Sequence, residues 1–279
     1  MKIDLHCHTK LSDGSTSIDE FLFIAKQTNV EVVAVTDHDT FAGAIRAKVL
    51  SKNFGIDVVL GAEFSSTYEK ENREIHILCY MCEFPERLEH ICRQNSVARQ
   101  KTMNVFIRNV MKNYPISPHF ISLKAKESSN VFRNHIVQAI MDSGYMSGDY
   151  SSSLSKLLDD ELIKGEISKP VFSSPENVID TIHQAKGLAV LAHPKDGDEK
   201  ALLPDLLKLG IDGVEVFYPE ANKTLQEKLL DFTDENDLLV TGGSNFHGMY
   251  STTIKPLGSF CTEEKHFRSM FNKKDKIFS

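Results

Sequence analysis

The run Glu31-Val32-Val33-Ala34-Val35-Thr36, followed at once by Asp37-His38-Asp39, constrains this chain more than any other segment. β-Branched residues without polar alternation read as a strand covered on both faces. A chain that buries both faces of a strand needs helices on the sheet, and the flanking segments supply them. Residues 2–5 read as a first strand. Ser17 and Glu20 form a capping box that opens a helix to about residue 27. A second helix is expected over 41–52, then strands over 56–60 and 74–80. This β-α-β-α-β order predicts parallel strands with helical crossovers.

From 86 to 162 the periodicity becomes mostly helical, broken by Tyr114-Pro115 and by Ser151-Ser152-Ser153. Alternation then resumes. Helices are expected over 175–186, stopped by Gly187, and over 200–209 and 221–236; strands are expected over 188–192, 213–217 and 238–241. The reading is an α/β chain of about seven strand–helix steps, with a barrel built from 1–85 and 165–279. Residues 86–164 form a helical insertion covering its mouth. A chain of 279 residues, 41% of them hydrophobic, can bury a core of that size.

Charge and cysteine content narrow the function. Lys and Arg number 32 against 39 Asp and Glu, a net charge of -7, which disfavours a long polyanion surface. No apolar run reaches the 18 residues of a membrane span, and Met1-Lys2-Ile3 leads directly into ordered-looking sequence, so no membrane partner and a cytoplasmic location are expected. Five cysteines with a single C-x-x-C, Cys79 and Cys82, in an apolar run read as buried thiols rather than a zinc site.

The eleven histidines are informative by position. His6 and His8 follow the first strand, and residues two apart on an extended backbone face one side, as two ligands of one ion would. Taken alone, that H-x-H also fits two unconnected histidines. Asp13 sits in a loop where a turn would explain it equally well. His38 lies at the end of the buried strand, where catalytic groups of parallel barrels gather. Glu63 follows the strand at 56–60, and His76 interrupts an apolar strand, where an unpaired polar group is costly. His135, His193 and His247 lie in short polar motifs. His90, His119, His183 and His266 have ordinary surface or helix explanations. One multinuclear metal site accounts for the other seven together.

The segments Asp4-Leu5-His6-Cys7-His8-Thr9, Ser12-Asp13-Gly14, Thr36-Asp37-His38-Asp39, Gly61-Ala62-Glu63, His76, Arg133-Asn134-His135, Ala192-His193-Pro194 and 244–248 occur in the order and spacing of a known family. The chain resembles the PHP (polymerase and histidinol phosphatase) metallophosphoesterases, in particular the bacterial branch with nucleoside and 3',5'-nucleotide bisphosphate phosphatases. The resemblance implies a distorted (β/α)7 barrel carrying two or three divalent ions, of Mn, Fe, Zn or Mg, at its mouth. It further implies that His6, His8 and Glu63 hold the first ion, with Glu63 bridging to a second held by His76 and His135. Asp13, His38 and His247 hold the third, with His193 a further ligand or the group facing the leaving oxygen. Asn245 stands where the family usually has a ligating Asp, which removes one negative charge from the first site.

Clustered divalent ions neutralise phosphate and deliver hydroxide, so the expected reaction is attack on a small phosphomonoester, a nucleotide, by a hydroxide shared between the first two ions. Arg133 and Lys195 are candidates to hold the phosphate, and His193 to protonate the leaving group. Asp4, Asp37 and Asp39 are expected to orient ligand imidazoles. Two alternatives stand beside this: a 5'-end-directed exonuclease on short oligonucleotides, and a catalytically weakened binding module, suggested by Asn245.

Overall fold

The computed structural model describes residues 1–160, 163, 168–251 and 253–278. Its first half comprises β1 (Ile3–Cys7), α1 (Ile18–Gln27), β2 (Val32–Val35), α2 (Ala42–Leu50), β3 (Asp57–Tyr68) and β4 (Arg73–Tyr80). Helices α3 (Glu89–Asn113), α4 (Pro118–Lys124), α5 (Arg133–Asp142), α6 (Tyr150–Asp159) and α7 (Pro175–Gln184) precede β5 (Leu188–Leu191). The chain closes with α8 (Asp198–Ala201), α9 (Leu203–Lys208), β6 (Gly213–Phe217), α10 (Lys223–Glu235), β7 (Leu239–Gly242) and α11 (Glu264–Phe278).

The unalternated β2 run does what it predicts. Val32 and Ala34 pack in a cluster with Ile3, Leu5, Tyr80 and Val190 inside the sheet, while Val33 and Val35 pack outward with Phe21, Leu22, Ala44 and Ala47 of α1 and α2. Each fully buried Val or Leu contributes roughly 2 kcal/mol, so both faces of the strand are strongly specified. The sheet runs in chain order from β1 to β7. Cys7 bridges to Phe246 just beyond β7, which brings the two edges together as a distorted (β/α)7 barrel. Phe267 and Met270 of α11, a helix the hydrophobic pattern did not reveal, join the interior cluster.

The expectation of parallel strands throughout fails at β4. Only a short 3-10 turn over Glu69–Glu71 separates β3 from β4, too little chain for a crossover, so β4 pairs antiparallel with both β3 and β5. The consequence is positional. His76, near the start of β4, lies opposite Ser65 at the end of the barrel where the parallel strands finish.

The helical stretch buries Phe106, Val110, Ile121, Ile136, Ile140 and Leu157 in a core of its own. The expected boundary at 164/165 lies outside the described residues. Helix α7 ends earlier than expected, with Lys186 rather than Gly187 in the left-handed conformation (φ 52°). All five cysteines are free, with Cys79 and Cys82 buried.

Candidate metal centre

A bulge aims the first two histidines. Asp4 pairs with Val33 but Cys7 pairs with Val35, so β1 carries one extra residue between them. Such an insertion flips the side-chain alternation, which lets His6 and His8 face the lumen although they share sequence parity with outward-facing Asp4. Both rings are fully buried.

Glu63 is the hub. Its Oε2 lies 3.3 Å from His6 Nε2, 3.1 Å from His8 Nε2 and 3.3 Å from His38 Nδ1; its Oε1 lies 3.0 Å from both His76 Nδ1 and His193 Nε2. A second carboxylate, Asp13, faces His247 Nε2 at 3.3 Å, His8 Nδ1 at 3.5 Å and His38 Nε2 at 3.6 Å. Ring nitrogens also face one another, His6 Nε2 to His8 Nε2 at 3.1 Å and His76 Nδ1 to His193 Nε2 at 3.3 Å. Imidazole nitrogens packed this closely around carboxylates form three groups with metal-ligand spacing: His6, Glu63 and His193; His38, Glu63 and His76; and His8, Asp13, His38 and His247. Asn245 Oδ1 is buried without a hydrogen-bond partner, and the residue adopts a left-handed backbone (φ 49°).

The protons follow this geometry. Burial raises the Glu63 carboxyl, but His6, His38 and His76 outweigh it and hold the group well below its ordinary value. Burial opposes a charged His76, yet Glu63 and then Glu74 push it up to about 10. His8 moves the other way, down to about 4, through burial and the neighbouring His247.

Several expected site residues make other contacts. His135 joins none of the donor groups among the described residues. It sits at the start of α5, where its Nδ1 accepts the Phe132 N–H at 3.1 Å and its ring packs on Phe132 and Tyr250. That Nδ1 caps the start of the helix, and His193 stands beside Glu63 and His76.

Nor do the three aspartates touch an imidazole. Asp4 accepts from Ser244 N at 2.9 Å, Ser244 Oγ at 2.5 Å and Gly258 N at 2.7 Å, tying β1 to the loops after β7. Asp37 accepts from Thr9 N at 2.8 Å, Thr9 Oγ at 2.7 Å and Ser12 Oγ at 2.6 Å, which shapes the loop carrying Asp13. Asp39 accepts from Ser65 N, Asn95 and Arg99.

The carboxylates that do orient rings are Glu215 and Glu74. Fully buried Glu215 meets His6 Nδ1 at 3.0 and 3.1 Å and accepts the His193 N–H at 2.9 Å. Glu74 meets His76 Nε2 at 3.0 Å. Glu215 carried a readable signal, a lone acid inside the apolar strand Gly213–Phe217. Glu74 carried none beyond its place next to a strand histidine.

Two cavities border the cluster. One, of about 210 Å³, is lined by Asp13, His38, His76, Arg99, Phe132 and Arg133; the other, of about 260 Å³, by Arg73, His76, His193, Lys195 and Asp198. The expected cations Arg133 and Lys195 thus stand in different cavities, and both are exposed.

The PHP domain family matches residues 4–185. The chain is 29% identical over 250 residues to phosphoribosyl 1,2-cyclic phosphate 1,2-diphosphodiesterase of Eggerthella lenta, covering 88% of this chain and 94% of the relative. It is 30% identical over 251 residues to a 5'-3' exoribonuclease of Haemophilus influenzae, covering 88% and 90%. A crystal structure described as a metal-dependent phosphoesterase of Bifidobacterium adolescentis superposes with a TM-score of 0.83 at 26% identity, covering 97% of this chain and 96% of the other.

Proposed function

The chain belongs to the PHP-domain family of metal-dependent phosphoesterases, and from that premise we propose that it hydrolyses a phosphate ester of ribose, a nucleoside monophosphate or 3',5'-bisphosphate. The names of the Eggerthella and Haemophilus relatives share phosphorylated ribose, in one as a phosphoribosyl compound and in the other as RNA. The observation that carries the reading is Glu63, whose two oxygens face five imidazoles beside a cavity that two arginines, Arg99 and Arg133, also line.

The donors fit divalent cations. They are imidazole nitrogens and carboxylate oxygens, a set suited to Mn, Fe or Zn, and a buried Asn245 oxygen without a partner costs about 1–3 kcal/mol unless something binds it. In this reading His6, His8, Glu63 and Asn245 hold the first ion, Glu63, His76 and His193 the second, and Asp13, His38 and His247 the third. Bound there, the ions supply Lewis acidity and water of lowered pKa. The chain's own work is to hold the donors still. Glu215 and Glu74 set the ring orientation of His6 and His76, and Asp37 holds the Asp13 loop. Arg133 offers its planar fork to phosphoryl oxygens. His193 is a ligand in this arrangement rather than a proton donor. The helices between β4 and β5 form a cap that excludes bulk water and selects the ribose side.

A second reading, 5'-end exonuclease action on short oligonucleotides, is favoured by the cavity with Arg73 and Lys195, where the next phosphate of a chain would lie. The test is a panel of nucleoside monophosphates, 3',5'-bisphosphates and a 5'-phosphorylated trinucleotide, run with metal content measured per chain. Release of inorganic phosphate from the mononucleotides is expected. Stepwise shortening of the trinucleotide with untouched mononucleotides would replace the leading reading. Fewer than two ions and no turnover, with activity appearing in Asn245→Asp, would make the chain a binding module.

A further inference from the structure

Arg99, on α3, lies in the cavity beside the donor cluster and is not one of the residues the family motifs mark. Its guanidinium lies 4.8 Å from the ring centres of both Phe132 and Phe172, and its side chain is only 12% exposed. A desolvated cation between aromatic faces is held rigidly and keeps its full charge.

The way it is tethered matters more. Arginine meets a carboxylate preferentially through two parallel hydrogen bonds. Here only Nη2 is used, donating to Asp39 Oδ2 at 2.9 Å and to Ser65 Oγ at 2.6 Å. The other Asp39 oxygen is already taken by Asn95 Nδ2 at 2.7 Å and Ser65 N at 3.1 Å. Nε is buried without a partner, and neither bond engages Nη1. A residue serving only to staple the cap to the barrel would spend its fork on Asp39. Arg99 instead leaves Nη1 outside those bonds, and its side chain lines a cavity of about 210 Å³ whose other walls include Asp13, His38 and His76.

We propose that Arg99 is a phosphate-binding residue, holding a non-bridging oxygen of the scissile phosphoryl group with its Nη1 donor while Asp39 and Ser65 fix its Nη2. The inference rests on the phosphoesterase reading and adds to it. The cap, through α3, supplies an anion clamp pre-oriented by the same Asp39 that follows His38 in the chain. A cavity of this size bordered by the cluster takes a phosphoryl group and leaves the ribose outside.

Isothermal titration of the metal-loaded chain with inorganic phosphate tests this, with Arg99→Gln and Arg99→Lys compared with the parent and with metal content and melting temperature recorded. Arg99→Gln is expected to bind phosphate at least about tenfold more weakly at unchanged metal content, with KM rising more than kcat falls. Arg99→Lys, which keeps the charge but not the fork, is expected to lose several-fold and serves if the glutamine variant does not fold. Phosphate affinity in either variant within twofold of the parent overturns the proposal, as does a loss that only tracks lost metal or lost melting temperature. Those results leave the phosphoesterase reading standing; that reading fails separately if the parent chain itself turns over no phosphate ester.

Discussion

Replacing Glu215 with glutamine isolates the part of the metal centre that lies behind the ligands. Glu215 serves two buried donors at once, His6 Nδ1 at 3.0 Å and the His193 N–H at 2.9 Å. A carboxylate accepts from both. An amide has one oxygen and an NH2 group, so in Glu215→Gln, with the amide oxygen at the Oε2 position for the His193 N–H, the NH2 group faces His6 Nδ1 from the 3.0 Å position and weakens that bond. The loss is one buried charge-assisted hydrogen bond, about 1.5–3 kcal/mol. Both affected residues flank Glu63, so the loss falls on the geometry of the first and second ion sites. Converted at ~1.4 kcal/mol per decade, that is a drop of about 10–100-fold in metal affinity, the size seen when ring-orienting partners are removed elsewhere. The assay is titration of chelator-treated protein with Mn(II) or Zn(II) at fixed pH, with far-UV circular dichroism to show that the barrel is intact. Affinity within threefold of the parent would refute the idea that Glu215 positions His6 and His193.

Other outcomes follow from the same geometry. His135→Gln keeps full metal content but loses about 1 kcal/mol of stability through the weakened α5 start; a missing ion by elemental analysis would return His135 to the ligand set. Asp4→Ala removes the acceptor of three buried backbone N–H groups, those of His6, Ser244 and Gly258, and of the Ser244 hydroxyl, so denaturant unfolding should shift by at least about 3 kcal/mol, and a shift under 1 kcal/mol would show that closure does not depend on this carboxylate. In chelated protein, His76 titrates near 10 rather than near 6.5, so its contribution is complete below about pH 6.5 and is lost as pH rises through 10. The His76-dependent part, read as the parent minus His76→Gln difference in melting temperature, should therefore shrink between pH 7 and 10; growth over that range contradicts the Glu63 and Glu74 pairing.

Much of the candidate site was legible because side chains that can hold metal ions are chemically conspicuous. His6, His8, His38, His193 and His247 each follow an apolar run, and strand ends are where a barrel collects its groups. Glu63 and His76 were visible as polar residues in or beside apolar segments. His135 shows what a motif leaves out: a histidine beside an arginine in a short polar motif looks like a site residue, and the position of α5 adds that its Nδ1 caps the start of a helix. The aspartates misled similarly, since an acid next to a histidine in sequence has no fixed relation to that ring once the strand ends. Asp37 reaches Thr9 and Ser12, and the acid on the His6 ring comes from residue 215.

By itself the sequence determined the barrel class, its two-faced strands, the helical stretch between β4 and β5, and the identity of most donors, because these depend on local periodicity and residue chemistry. Three things were decided only in three dimensions. The antiparallel turn of β4 brings His76 to the mouth, the extra residue in β1 flips His6 and His8 inward, and contacts more than fifty residues apart pair Glu215 with His6 and Arg99 with Asp39. The reason is physical. Periodicity reports which residues are buried, whereas register, strand direction and long-range pairing depend on how the edges of the sheet meet, and no local window contains both edges.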